Sequence, residues 1–304
     1  MALKNSLSTT SPFGKLILLG VLMLLGVAFA LGVLFSLNAL VFNLPIHSIS
    51  IADLNNNPQN IITAKVLQIF SQVGLFILPA LLFAYLTNKA IKPELSFTSS
   101  LPTKTMLITV FSTLLAIPFI NLLAQWNSNW HLPDFLSKTE EWMRVMQTQN
   151  DQLMELILIM DSPSSIALNF LMMAILPAIG EELIFRGVIQ KQLTRWVSNP
   201  HLAIFLTAVF FSAFHMQFLG FLSRLLLGML FGYLFYYSKN IWVPILAHFV
   251  NNSLALVLAL TLGIGTNDDA FNDTASLSLS LMMFSLFMVS MFLVYTNRSR
   301  LSVQ

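Results

Sequence analysis

A chain of 304 residues that is 56% hydrophobic and only 9% charged, with a mean hydropathy of +0.77, lies outside the composition of soluble domains, whose charged fraction is roughly a quarter. A formal charge of +2 on dispersed basic residues excludes an electrostatic nucleic-acid partner, and the absence of Cys excludes disulfides, thiolate metal sites and a Cys nucleophile. No stretch shows the alternation of about 10 residues that marks a transmembrane barrel, so the composition predicts an all-α, polytopic membrane helical bundle.

Charge-poor runs able to cross about 30 Å of hydrocarbon at about 1.5 Å per residue occur at 14–44, 62–88, 105–125, 164–186, 201–220, 222–238, 241–263 and 276–296. They predict eight spans, or seven if the short 222–238 segment fails. The first run is too long for the core of a signal peptide and reads as a retained span. Lys and Arg orient the set: Lys4, Lys15, Lys89, Lys92, Lys104, Lys191, Arg195, Lys239, Arg298 and Arg300 fall on one side when the spans alternate. The positive-inside rule makes that side, with both termini, cytoplasmic, and the setting a plasma or inner membrane.

Between the third and fourth spans, 126–163 carries Trp126, Trp130 and Trp142, then Val145, Met146, Leu153, Met154, Leu156 and Ile157 among polar residues. This pattern predicts a helix lying in the outer interface or packed on the bundle. The composition shift there divides the chain into a three-span region, 1–160, and a five-span region, 161–304, whose polar residues concentrate at about 165–263.

Ionisable groups inside apolar helices are costly and persist where they are paired and used. Glu181 and Glu182 stand with Arg186 in the fourth span, His215 in the fifth, and His248 with Asn252 in the seventh. Glu182 and Arg186, Phe211 and His215, and His248 and Asn252 are each i, i+4 pairs sharing one helix face, and a common interior is where such faces find partners. A carboxylate beside an imidazole can deprotonate water for carbonyl attack, while a second imidazole and a carboxamide can donate to an oxyanion. Glu181 or Glu182 would then act with His215, Arg186 would hold the other glutamate, and His248 and Asn252 would face the oxyanion. The same residues allow a metal version, with Glu181, His215 and His248 holding a divalent ion such as zinc and the remaining glutamate as base. The sequence does not separate the two.

Glu181-Glu182-x-x-x-Arg186, Phe211-x-x-x-His215 and His248-x-x-x-Asn252, in this order with Trp242-x-Pro244 before the last, resemble the three motifs of the CAAX protease and bacteriocin-processing (CPBP, Abi) family. The resemblance covers about 165–263. It implies an eight-helix intramembrane endopeptidase, of the metalloprotease or of a metal-free glutamate-dependent type, acting on protein or peptide substrates at the membrane, CAAX-like ones included. Outside that class, a membrane scaffold or bacteriocin-immunity protein would keep the fold without proteolysis. A proton-coupled transporter would also bury such residues, but in paired broken helices of two related halves.

Depth places one further constraint. His215 lies about 21 Å into a span that begins at the inner face, so Glu181 can meet it only if the fourth helix continues past Arg186 to about residue 196. The expected helix is therefore 164–196, with Glu181 at mid-membrane, Pro177 opening the backbone one turn earlier and Gly187 allowing a bend. Glu181 is expected to carry the chemistry and Glu182 to pair with Arg186.

Overall fold

A computed structural model of the chain describes residues 4–37, 58–88, 90–97 and 100–262. Besides a single turn at Ile91–Glu94, these form a bundle of eight longer helices: α1 (Pro12–Leu37), α2 (Pro58–Gln72, Val73–Ile77 and Leu78–Thr87), α3 (Thr103–Ser128), α4 (Ser137–Ile157), α5 (Pro163–Phe170 continuing to Gln190–Val197), α6 (Pro200–Phe214), α7 (Phe221–Ser238) and α8 (Trp242–Leu262). No strand occurs among the described residues. Among the described residues, six helical stretches are long and apolar enough to cross a membrane: Pro12–Val33, Ile61–Thr87, Thr103–Ser128, Pro163–Val197, Phe218–Ser238 and Trp242–Thr261. The 222–238 segment, the weakest expected span, is thus long enough once Phe218–Gly220 is joined to it. The expected span at 276–296 lies outside the described residues.

Local sequence accounts for the helix starts. Ser162-Pro163 and Asn199-Pro200 each put a side-chain acceptor at the N-cap and a proline at the first helical position, where its missing N–H costs nothing. Ser162 Oγ accepts from the Ser165 amide, and Asn199 Oδ1 accepts from those of His201 and Leu202. Ser198 and Lys239, at φ 55° and 53°, end α5 and α7 in left-handed turns.

α5 is central: 61% of its most apolar window is buried, against 22% for α1. It is continuous over Pro163–Val197, as the depth argument requires, and interrupted by wide π turns at Leu171–Ile175 and Leu183–Ile189. α2 has a matching π turn at Val73–Ile77. The Leu78 amide bonds to the Val73 carbonyl and the Leu176 amide to the Leu171 carbonyl, in both cases one residue before a proline in an Ile-Leu-Pro-Ala sequence. The widened turn accommodates a ring that would strike the carbonyl four residues back. Two interrupted helices are therefore paired in the core, a repeat that spacing alone does not reveal.

α6 is short. Its 15 residues reach about 22 Å, less than the about 30 Å of hydrocarbon, and end at His215 and a left-handed Met216 at φ 54°. The expected span 201–220 is therefore a helix over its first three-quarters and a turn over the rest. α4 closes that end of the bundle: the Trp142 and Phe218 rings meet at a tilt with centroids 5.5 Å apart, and Leu153, Leu156 and Ile157 pack against Met172. Its first half keeps Trp142 and Val145 exposed. The second half is thus packed on the bundle, as one of the two expectations has it.

Candidate active site

Glu182 and Arg186 are completely buried on α5, and Arg186 Nη1 donates to Glu182 Oε1 at 2.7 Å. His248 Nδ1 meets the same oxygen at 2.9 Å, joining α8 to α5. The second guanidinium arm, Nη2, donates to the Gly228 carbonyl on α7 at 2.9 Å, and the cation lies 4.8 Å from the Phe211 ring centroid and 5.5 Å from that of Phe231. Phe231 stacks on His248 at 5.3 Å and 24°. A buried cation is thereby met by a carboxylate, a carbonyl and two aromatic faces, the environment that makes such burial tolerable.

The Gly228 contact exists because α7 carries Gly228-x-x-x-Gly232. A Cβ on Gly228 would lie 3.0 Å from that of Ala208, and one on Gly232 2.8 Å from Ile204 Cγ2, so only small residues let α6 and α7 approach this closely. Gln190, one turn beyond Arg186, repeats the contact by donating Nε2 to the Gly232 carbonyl at 3.0 Å. Sequence reasoning missed Gln190 and the glycine pair, although the four-residue spacing of both pairs was visible.

Glu181 points elsewhere. It is 6% exposed, and its Oε2 lies 3.8 Å from His215 Nε2 with no protein donor bonded to it. His215 Nδ1 lies 2.8 Å from the Phe211 carbonyl, which can only accept, so Nδ1 carries the proton and a neutral ring offers Nε2 as an acceptor. His215 is the open member of the group, its side chain 30% exposed. Two acceptors facing one another at that separation suit a small molecule that donates to both.

Asn252 stands one turn beyond His248 and donates Nδ2 to the Met173 carbonyl on α5 at 2.9 Å. Pro177, four residues after Met173, has no N–H for that carbonyl, and Asn252 replaces the missing donor. Asn251 Nδ2 in turn donates to Asn252 Oδ1 at 3.1 Å. Of the six site residues expected from sequence, Glu182, Arg186 and His248 form one connected cluster, Glu181 and His215 form a facing pair, and Asn252 braces the proline break.

Among the described residues, no three His, Asp or Glu side chains are gathered as ligands for one metal ion. His248 and His215 each use Nδ1 on another partner, Glu182 and the Phe211 carbonyl, so their Nε2 atoms are the ones that could bind an ion.

An all-α bundle with apolar spans and an acid, imidazole and guanidinium cluster at its centre defines a polytopic membrane protein with a polar interior site. Residues 163–254 match the family described as Type II CAAX prenyl endopeptidase Rce1-like. This segment holds all three motifs and is similar to the CAAX protease and bacteriocin-processing family. The chain is 30% identical over 102 residues to a Bacillus subtilis (strain 168) protein named "Putative membrane peptidase YdiL", an alignment covering 34% of this chain and 41% of that protein. The chain thus spans less than half the length of the curated relative it matches. No solved structure matches it.

Proposed function

We propose that the protein is an intramembrane endopeptidase that hydrolyses a peptide bond with a water activated by Glu181 and His215. The observation that carries the reading is the 3.8 Å approach of Glu181 Oε2 to His215 Nε2, with the far side of the imidazole locked onto the Phe211 carbonyl. A water donating one hydrogen to each acceptor would turn its lone pair outward. Its oxygen would attack the carbonyl carbon as Glu181 takes the proton. That proton then passes to the departing amide nitrogen as the C–N bond breaks, giving a carboxylate and an amine.

Glu182 acts as a positioning residue, held by Arg186 and holding His248. A His248 that gives Nδ1–H to Glu182 can donate to an oxyanion through Nε2 only as the imidazolium. Asn252 keeps a second Nδ2 hydrogen beyond the one given to Met173. The charge asymmetry of the loops supports a plasma or inner membrane setting with cytoplasmic termini, and the family supports CAAX-like or other membrane-associated protein substrates. The test is comparison of peptide termini in whole membranes carrying the wild type or Glu181→Gln. Termini present with the wild type and lost with the variant support the reading, and identical termini from equal amounts of folded protein exclude it.

A further inference from the structure

A cavity of about 350 Å³ lies under α4, walled by α3, α5, α7, α8 and the turn after His215. It is at the small end of ligand sites, which run from roughly 300 to 1,000 Å³. Its polar residues come from two sides. Gln147 and Asp151 descend from α4, with Gln147 Nε2 donating to Asp151 Oδ1 at 2.9 Å. Gln217, Arg224 and Asn251 rise from the bundle, with the Arg224 guanidinium donating to the Gln217 carbonyl and side chain. Ile120, Leu227 and Leu254 supply apolar wall between them.

The chemistry of this lining is selective. Gln147 Oε1 is buried with no donor bonded to it, so the occupant that completes the wall brings an N–H or O–H. A free anion would face the Asp151 carboxylate, and a hydrocarbon tail would leave Gln147 Oε1 without a partner. An extended polypeptide offers amide N–H groups together with apolar side chains, matching both surfaces. The cavity also adjoins the proposed chemistry through the backbone. Gln217 is two residues past His215, Asn251 is three past His248, and Met173, whose carbonyl Asn252 holds, lines the wall.

We infer that this cavity is the subsite for the substrate chain next to the scissile bond, with α4 as its roof and Gln147 as an acceptor for a backbone amide. The inference rests on the proteolytic reading, which places the reacting carbonyl between Glu181 and His215. It assigns to α4, which lies outside the segment matching the family, a part in holding substrate.

The cysteine-free chain makes the test direct. Gln147→Cys, Asn251→Cys and, on the neighbouring exposed position of α4, Thr148→Cys are made singly in the full chain, reconstituted in nanodiscs and alkylated with a small maleimide. The probe is a ten-residue peptide of alternating Leu and Ser with blocked ends, compared with oleate at equal concentration. The expected result is at least a tenfold slowing of alkylation by peptide at positions 147 and 251 and none at 148. Equal slowing by oleate makes the cavity a lipid site and overturns the inference. No slowing at saturating peptide, with Thr148→Cys and both cavity variants folded and reactive, also overturns it. Because the readout is binding, it stands apart from turnover: a protease that needs Glu181 but leaves the cavity thiols unprotected refutes the subsite alone. Protection in a protein whose cleavage products ignore Glu181→Gln refutes the catalytic reading alone.

Discussion

His215 turns its Nε2 toward Glu181 Oε2 at 3.8 Å because its other nitrogen is anchored on the Phe211 carbonyl one turn earlier. The pairing is therefore set by α6 itself as much as by contact between helices. Glu181→Gln and His215→Gln keep side-chain shape while removing the base and one acceptor, and each is expected to lower peptide-bond cleavage by about 10²- to 10⁴-fold. Thermal midpoints in detergent should stay close to the wild type, as neither group carries a short protein hydrogen bond from its facing atom.

Arg186 behaves differently, since its removal leaves Glu182 fully buried without its cation. Arg186→Met should destabilise the protein by about 3–5 kcal/mol, the range for breaking a buried pair. Adding Glu182→Leu to Arg186→Met should restore much of that loss, because the orphaned charge goes with it. Equilibrium unfolding in mixed micelles of the two single variants and the double variant measures the coupling.

α1 contains its own control for close packing. A Cβ on Gly26 would lie 1.7 Å from the Gly74 carbonyl of α2, whereas Gly20 and Gly32 have nothing within 4 Å. Gly26→Ala is expected to destabilise by about 1–3 kcal/mol through overpacking, while Gly20→Ala and Gly32→Ala should be neutral or gain up to about 1 kcal/mol from helix propensity. Melting temperatures of the three variants decide it.

Glu140, at the start of α4, accepts from the Leu132 amide, Arg144 and His131, and these bonds lower its pKa from 4.5 to about 2. A depressed carboxylate pKa adds stability that is fully present above the unfolded value and disappears as pH falls through the folded one. The stability difference between wild type and Glu140→Gln should thus be constant above about pH 5 and vanish between pH 4.5 and about 2. Acid titration of the tryptophan fluorescence of both proteins reads it.

The arrangement of Glu181, His215 and His248 makes a definite prediction for metal. Protein stripped by chelation and shown free of zinc by elemental analysis is expected to keep its activity. Loss on chelation with recovery on adding Zn²⁺ would instead assign Glu181 and the Nε2 atoms of His215 and His248 as its ligands, with both Nδ1 contacts kept.

Much of this site was legible from i, i+4 spacing and helix depth. The extended α5 follows from asking how Glu181 could reach His215, and the division between the two glutamates follows from the Glu182 to Arg186 spacing. Asn252 was harder to read, because its partner is a backbone carbonyl left open by Pro177, a vacancy visible only when proline is read for the bond it removes. The close approach of α7 was also overlooked, although Gly228-x-x-x-Gly232 announces it. The cavity could not be read at all, since it depends on how α4 folds back over the bundle.

The shortness of α6 has a consequence for supply. Every peptide bond cleaved consumes one water molecule, and a bilayer interior delivers almost none. By stopping after 15 residues, about 22 Å, α6 falls short of a full hydrocarbon crossing, and the chain turns at His215 and Met216 beside an imidazole that is 30% exposed. The same early stop that presents the imidazole therefore favours a wet recess beside it, so the reagent for hydrolysis arrives through an incomplete span instead of across lipid.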